Sequence, residues 1–85
     1  MYFVYVLKSG RDKNLYIGST NNLKRRIDEH NRGSVSSTKY RIPFELVYCE
    51  VYKSENDVHR RESNLKLRSK AFQSLKKRIV GSVGA

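Results

Sequence analysis

YFVYVLK at residues 2–8 and LYIGS at residues 15–19 decide the fold of this chain. The first segment is apolar at both alternating sets of positions, which is typical of a β-strand covered on both faces. The second is a shorter segment of the same kind. Gly10, Asp12 and Asn14 lie between them and favour a turn. Together these segments predict a β-hairpin.

A first helix is predicted directly after the hairpin. Thr20-Asn21-Asn22 offers side chains that can accept hydrogen bonds from the first helical turn. One side of the helix, within about 100° of arc, carries an apolar and ionisable set: Leu23, Arg26, Ile27 and His30. Gly33 ends the helix, and a polar, basic connection over residues 34–41 follows.

The second half of the chain predicts one strand and two helices. The strand covers Phe44 to Tyr52 after Pro43 and is again apolar on both faces. Ser54, with an acid three residues later at Asp57, resembles a capping box and opens the second helix. A third helix is predicted from about Ser69, with an apolar side made of Ala71, Phe72, Leu75 and Ile79.

The order β-β-α-β-α-α predicts one α+β domain over residues 1–80. Three strands cannot bury both of their faces alone, so we expect a three-stranded antiparallel sheet flanked by three helices. Residues 81–85, Gly-Ser-Val-Gly-Ala, predict a flexible C-terminal tail.

The chain is strongly basic, with 18 Lys and Arg against 8 Asp and Glu, a formal net charge of +10. A field of this sign concentrates polyanions, which favours nucleic acid as the partner. A basic solvated surface and an anionic membrane surface are the alternatives. No run of 18 apolar residues exists, so we expect no membrane span. The single Cys49 cannot form an internal disulfide, which fits a cytoplasmic protein.

Ionisable residues lie on the apolar sides of two predicted helices. Arg26 and His30 share the apolar side of the first, and Glu62 lies between Val58 and Leu65 on the second. Buried charges cost several kcal/mol unless they are paired or bind a ligand. Two interpretations follow: an internal Arg26–Glu62 salt bridge, or a cleft in which a phosphate and a metal ion complete the pairing.

The motifs resemble those of the GIY-YIG nuclease superfamily. In order they are Phe3-Val4-Tyr5, Tyr16-Ile17-Gly18, Leu23-x-x-Arg26-x-x-x-His30 and Arg61-Glu62-Ser63-Asn64-Leu65-Lys66. The steps of 11 residues from Tyr5 to Tyr16, 10 from Tyr16 to Arg26 and 4 from Arg26 to His30 are similar to the family's spacing. The likeness covers roughly Tyr2 to Ile79. Within the family, the sequence most resembles the small single-domain bacterial members, which are similar to the N-terminal nuclease domain of the excinuclease of nucleotide-excision repair.

The resemblance implies a metal-dependent endonuclease and assigns a role to each motif residue. Glu62 is expected to hold one Mg²⁺ or Mn²⁺ ion beside the scissile phosphate, which Arg26 grips. Tyr5 is the candidate general base on water, and His30 accepts its proton or orients its hydroxyl. Tyr16 is expected to order water or the phosphate. Read without the family, both Tyr side chains are core aromatics with satisfied hydroxyls.

Basic and aromatic residues around these motifs are candidates for binding the nucleic-acid backbone: Lys24, Arg25, Lys39, Tyr40, Arg41, Lys66 and Arg68. Gly18 is a structural member of the second triplet and turns the strand towards the first helix. Three functions stay open: a nuclease acting on DNA in preference to RNA, a binding module without chemistry, and a structural partner in a repair complex. We expect a monomer.

Overall fold

The computed structural model describes residues 1–84, with Ser69 described by its backbone alone. The elements are β1 (Tyr2–Ser9), β2 (Leu15–Thr20), α1 (Leu23–Asn31), a 3-10 turn (Lys39–Arg41), β3 (Phe44–Tyr52), α2 (Glu55–Leu67), α3 (Ser69–Arg78) and α4 (Val80–Val83). The predicted α+β class with a three-stranded antiparallel sheet is confirmed.

β1 is the central strand of the sheet, whose order is β2-β1-β3. Because side chains alternate along a strand, β1 supplies both halves of the core. Val4 and Val6 join the cluster under α2 and α3, whereas Tyr5 and Leu7 join the cluster under α1. In the middle of the sheet Tyr5 pairs with Gly18 on one side.

β3 differs from its prediction as a strand covered on both faces. It is an edge strand, and its side chains are mostly half-buried or exposed. Val51 is 55% exposed and Leu46 is 37% exposed. An apolar pattern predicts a strand but does not say whether a helix covers each of its faces.

Local signals set the helix boundaries. The Asn22 side chain accepts a hydrogen bond from the Arg25 N–H at 3.1 Å and caps α1. Gly33 has φ +76°, a left-handed conformation that favours glycine, and follows the end of the helix as predicted. The Ser54 hydroxyl accepts from the Asp57 N–H at 3.3 Å at the start of α2.

The C-terminus differs from the predicted tail. Val80–Val83 form a fourth, short helix, and Nζ of Lys8 donates to the Val83 carbonyl at 2.8 Å. Val83 also packs against the main core cluster, which gives this segment an apolar anchor that its Gly-rich composition does not reveal. Ala85 lies outside the described residues. Within residues 1–84, no helix is long and apolar enough to cross a bilayer.

A polar cluster joins α2 to β3 on the face of the sheet under α2. The Glu50 carboxylate accepts two hydrogen bonds from the Arg61 guanidinium at 2.9 and 3.0 Å. It accepts two more from the hydroxyls of Tyr48 and Tyr52, each at 2.6 Å. Burial alone raises the pKa of Glu50, but these bonds outweigh it and hold the pKa at about 2. Arg61 is therefore a structural tie between these elements.

Candidate active site

Tyr5 lies in the middle of β1 and is the centre of the candidate site. Its side chain is 1% exposed and crosses Gly18 of the neighbouring strand. A Cβ atom built on Gly18 would lie 2.4 Å from the Tyr5 hydroxyl oxygen and 2.5 Å from Cζ. Only a residue without a side chain leaves room for the phenol, so this close approach is the physical reason for glycine in the second triplet.

α1 brings Arg26 and His30 to the same phenol. These residues are four apart and share one side of the helix, as predicted. Nε2 of His30 lies 2.9 Å from the Tyr5 hydroxyl, and His30 is fully buried. The Arg26 guanidinium lies beside the same hydroxyl and donates to Glu29 at 3.0 Å. Its side chain is 36% exposed, so it lies between the buried phenol and solvent.

The surroundings keep Tyr5 and His30 neutral. Burial raises the pKa of the Tyr5 phenol, and the nearby Arg26 guanidinium lowers it only in part. Burial also lowers the pKa of His30, and the positive charge of Arg26 lowers it further. At neutral pH the pair is therefore a phenol and an uncharged imidazole. A preformed phenolate, which the general-base role would favour, is not what this environment stabilises.

Tyr16 of β2 lies between these groups and α2. Its ring centroid is 5.0 Å from that of His30 and 6.4 Å from that of Tyr5. On its other side, Nζ of Lys66 lies 6.0 Å from the ring centroid. Tyr16 is half-buried, which leaves it partly open to solvent.

Glu62 of α2 reaches the site from the opposite face of the sheet. Its Oε1 accepts a hydrogen bond from the Ser19 hydroxyl at 2.6 Å, and its Oε2 accepts one from Lys66 Nζ at 2.7 Å. Its side chain is 18% exposed. Burial raises the pKa of Glu62, but the bonds from Lys66 and Ser19 outweigh it and leave the pKa below its usual value. The carboxylate is therefore ionised at neutral pH.

The internal Arg26–Glu62 salt bridge is not formed. Arg26 pairs with Glu29 on its own helix, and Glu62 pairs with Lys66 on its own helix. Each charge therefore has a local counter-ion, and both side chains remain partly exposed. The two groups are still close enough to Tyr5 for each charge to act on the pKa of its phenol. The first interpretation is therefore wrong, and the second, a cleft in which a phosphate and a metal ion complete the pairing, stays a prediction.

The five motif residues come together, but they do not share one open pocket. Tyr5 and His30 are buried beneath the surface, at 1% and 0% exposed. Arg26, Tyr16 and Glu62 form the part that solvent reaches. Tyr5, the candidate general base on water, is therefore shielded from solvent, because Leu23 and Ile27 of α1 pack against its cluster. A substrate would contact the outer three groups first.

Six of the seven candidate nucleic-acid-binding residues divide into three sets. Lys39 and Tyr40 are exposed on the 3-10 turn that follows Thr38, and Tyr40 is 73% exposed. Lys66 lies between Glu62 and Tyr16, at the site itself. The third set consists of exposed cations away from the turn and the site, two on α1 and one directly after α2: Lys24, Arg25 and Arg68.

Arg41 has a structural role that its prediction as a phosphate contact did not include. Its Nε donates to the Asp12 carboxylate at 2.6 Å, and its guanidinium lies 5.5 Å from the Phe44 ring centroid. The Arg41 hydrogen bonds hold the pKa of Asp12 at about 2. Arg41 thus joins the 3-10 turn to the turn of the hairpin.

Two residues of the site were not singled out from the sequence. Ser19 follows the second triplet and donates to Glu62, and Thr38 contacts Nδ1 of His30 at 2.9 Å. Strand alternation could have placed Ser19 on the face opposite Tyr16 and Gly18, towards α2. Thr38 lies in a polar loop with no periodicity, so no sequence signal distinguishes it from Ser36 and Ser37.

Comparison with known proteins agrees with this geometry. The family model described as the GIY-YIG catalytic domain matches residues 1–78. A UPF0213 protein of Clostridium perfringens is 42% identical over 67 residues, covering 78% of this chain and 71% of the relative. A UPF0213 protein of Staphylococcus aureus is 36% identical over 80 residues, covering 91% and 96%.

A solved structure gives the same result. The solution NMR structure of a UPF0213 protein from Bacillus halodurans has a TM-score of 0.57 and 31% sequence identity. The alignment covers 93% of this chain and 87% of that one. The match over almost the full length, with the motif residues gathered around one phenol, shows that this chain belongs to the GIY-YIG family of nuclease domains, which act on nucleic acid.

Proposed function

We propose that the protein is a metal-dependent endonuclease that hydrolyses phosphodiester bonds in DNA. The observation that carries this proposal is the arrangement of Arg26 and Glu62. Arg26 on α1 and Glu62 on α2 both lie near the Tyr5 phenol without neutralising each other. A guanidinium and an ionised carboxylate with separate, displaceable counter-ions are suited to bind a phosphate on one side and a cation on the other.

Arg26 is the group that binds the scissile phosphate. Its planar fork can donate to two phosphate oxygens, and it is always charged. Its present partner Glu29 is part-exposed at 32%, so exchanging this pair for a phosphate costs little. Additional negative charge develops on the phosphate in the transition state, where such a donor typically contributes a factor of about 10²–10³ in rate.

Tyr5 and His30 serve as a proton relay. The attacking water forms the new P–O bond and gives a proton to the Tyr5 oxygen while the Tyr5 proton passes to Nε2 of His30. The imidazole becomes an imidazolium, and the leaving oxygen takes a proton from solvent as its bond to phosphorus breaks. The 2.9 Å contact between the Tyr5 hydroxyl and Nε2 supports this transfer. Because the pKa of Tyr5 is raised, transfer of both protons in one step suits the site better than a phenolate.

Water gains access to Tyr5 through the movement of Arg26. The guanidinium lies beside the phenol and is the part-exposed group above it. A phosphate that draws Arg26 outward opens a place for one water molecule against the Tyr5 hydroxyl. Tyr16, half-buried between Tyr5 and Lys66, orients that water or a phosphate oxygen through its own hydroxyl.

Glu62 is the protein ligand for one Mg²⁺ or Mn²⁺ ion. Mg²⁺ keeps several waters and needs only one or two carboxylates together with phosphate oxygens. Within residues 1–84 no three His, Cys, Asp or Glu side chains form a metal-binding cluster, so a single-carboxylate site is the kind that fits. Lys66 is 44% exposed and can leave Oε2 for solvent, whereas Ser19 keeps Oε1 oriented. When bound, the ion supplies charge stabilisation at the phosphate and at the leaving oxygen.

The proposed substrate is DNA with a branch, a flap or a single-stranded segment. Lys39 and Tyr40 are exposed directly after Thr38, which contacts His30, and offer a charge and an aromatic face to the strand. Cations such as Lys24, Arg25 and Arg68 fix the position of a backbone but carry no base information, so we expect little sequence preference. DNA is preferred over RNA, and a role in repair is proposed, on the likeness to the nuclease domain of the repair excinuclease.

A cleavage panel tests this proposal. Fluorescent duplex, flap, branched and single-stranded DNA, with matching RNA, are incubated with Mg²⁺, Mn²⁺ or a chelator. We expect metal-dependent cuts, and we expect Arg26→Ala and Glu62→Ala to reduce the rate by at least about 10²-fold while binding persists. Glu55→Gln and Arg60→Ala, exposed charges on α2, are matched controls that keep the activity. Equal loss in the controls, or cutting that survives Glu62→Ala, contradicts the assignment.

A binding module without chemistry is the second candidate. It is favoured by the burial of Tyr5 and His30 and by the occupation of both Glu62 oxygens. It predicts affinity that falls steeply between low and physiological salt, with no cleavage in any arm of the panel. RNA cleavage without DNA cleavage would instead keep the chemistry and change the substrate.

A further inference from the structure

Three buried polar side chains from three separate segments form a continuous chain. The Tyr5 hydroxyl of β1 lies 2.9 Å from Nε2 of His30, and Nδ1 of His30 lies 2.9 Å from the Thr38 hydroxyl. The exposed fractions are 1% for Tyr5, 0% for His30 and 1% for Thr38. Thr38 touches neither the surface nor the outer groups of the site, so packing alone would be served equally well by Val.

The direction of these hydrogen bonds depends on which nitrogen of His30 carries the proton. Neutral imidazole donates from one nitrogen and accepts at the other, and His30 is neutral because burial and Arg26 lower its pKa. The Tyr5 oxygen lies between His30 and Arg26. The Arg26 guanidinium can only donate hydrogen bonds. Among the described residues the hydrogen-bond acceptor for the Tyr5 proton is Nε2 of His30, which can accept it only in the tautomer that carries its proton on Nδ1.

The other end of the chain favours the same direction. The Thr38 hydroxyl has the Val35 carbonyl at 3.4 Å, and a carbonyl can only accept. The order Tyr5 to His30 to Thr38 to Val35 gives every proton an acceptor, although the last bond is long. The reverse order leaves the buried Tyr5 proton without an acceptor. A buried donor without a partner costs more free energy than a hydrogen bond that is merely long.

Thr38 is held where its hydroxyl can perform this role. Its N–H donates to the Val35 carbonyl at 3.0 Å, and its carbonyl accepts from the Arg41 N–H at 2.9 Å. The Arg41 carbonyl in turn accepts from the buried Ser9 hydroxyl at 2.6 Å. The loop is therefore anchored to β1, and Thr38 is positioned by backbone bonds on both sides.

We infer that Thr38 is a positioning residue that holds His30 in the tautomer with its proton on Nδ1, so that Nε2 faces Tyr5 as a proton acceptor. The tautomer follows from the buried chain alone and does not depend on any activity. Its consequence for catalysis rests on the proposed function, because only this tautomer can take the Tyr5 proton in the relay.

Nuclear magnetic resonance of ¹⁵N-labelled protein measures the tautomer directly, through the ring nitrogen shifts of His30. In the unmodified protein we expect a protonated Nδ1 and an unprotonated Nε2 at neutral pH. Thr38→Val keeps the shape but removes the acceptor, so the shifts should move towards protonated Nε2. Thr38→Ser keeps the hydroxyl and should retain the original pattern. His59, exposed on α2, serves as the internal reference.

The cleavage assay adds a second, separable result. We expect Thr38→Val to slow cleavage by about 10- to 100-fold, because it loses part of the rate factor that general acid–base catalysis supplies. Thr38→Ser should keep the original cleavage rate. Failure of all variants to cut DNA would refute the proposed nuclease but leave the tautomer measurement valid. A protonated Nε2 in the unmodified protein, or shifts unchanged by Thr38→Val, would overturn the role of Thr38. The measurement of the His30 tautomer in the unmodified protein does not depend on the folding of any variant.

Discussion

Gly18→Ala is expected to destabilise the protein although alanine is the better residue for most strand positions. The backbone of Gly18 does not need the left-handed region, so the substitution meets no strain from φ. The new Cβ would instead lie 2.4 Å from the Tyr5 hydroxyl oxygen, where ordinary contact begins at 3.4 Å. The phenol must therefore move by about 1 Å or the two strands must separate.

The size of the effect follows from the burial of Tyr5. The ring is 1% exposed and bonded to His30, so it has no free space to enter. Overpacking of this kind costs about 1–3 kcal/mol, and weakening the hydrogen bond adds about 1 kcal/mol. Replacing glycine in a strand recovers about 0.5–1 kcal/mol. We expect a net loss of roughly 1–3 kcal/mol in the free energy of unfolding.

Urea unfolding measures this loss. With a slope of about 1 kcal/mol per M for a chain of this size, the midpoint should fall by about 1–3 M. Gly81→Ala is the matched control, because a Cβ at Gly81 meets nothing within 4 Å. It should leave stability unchanged or raise it. A Gly18→Ala protein as stable as the control would refute the argument that glycine is present to accommodate Tyr5.

Three further predictions concern charged residues outside the motif residues. The pKa of Glu50 is held at about 2 against a usual 4.5, which corresponds to roughly 3 kcal/mol at 1.36 kcal/mol per pH unit. Because this pKa is lowered by folding, the stabilisation is present above about pH 4.5 and is lost as pH falls towards 2. The stability advantage over Glu50→Gln in urea should therefore shrink across that range, and a constant advantage would contradict it. Arg41→Gln and Asp12→Asn should each lower the urea midpoint, and the double variant should lose less than the sum of the two, because both remove the ion pair that they share. In binding assays Lys39→Gln should reduce the slope of log affinity against log salt by about 1, whereas Arg41→Gln should leave it unchanged.

The first half of the fold could be predicted from the sequence because its signals are local. The hairpin, a helix cap within Thr20-Asn21-Asn22 and the Gly33 stop each depend on a few neighbouring residues. The structure confirms all three and places the cap at Asn22. The family spacing also indicated which side chains gather around Tyr5. Steps of 11, 10 and 4 residues place one side chain on each of two paired strands and two on the following helix.

What could not be predicted depends on contacts between distant segments. Spacing along each helix allows Arg26 to pair with Glu29 and Glu62 to pair with Lys66. The sequence also allows a bridge between Arg26 and Glu62 on their separate helices, and only the packing of the helices decides which pairs form. The exposure of Val51 depends on which segments pack over the edge strand β3. The short helix α4 depends on Lys8, more than 70 residues earlier in the chain.

The position of β2 at the edge of the sheet explains how the site can be assembled at all. Arg26 and Tyr5 lie on one face, whereas Glu62 binds Ser19 on the other. Beside a central strand, the full thickness of the sheet would separate two such groups on opposite faces. At an edge, Lys66 can pass beside β2 and reach both the Glu62 carboxylate and the Tyr16 ring. Lys66 is 44% exposed at this edge and can leave the Glu62 carboxylate for solvent. Under the proposed function its place is taken by the metal ion, while Arg26 on the other face binds the phosphate of the same substrate.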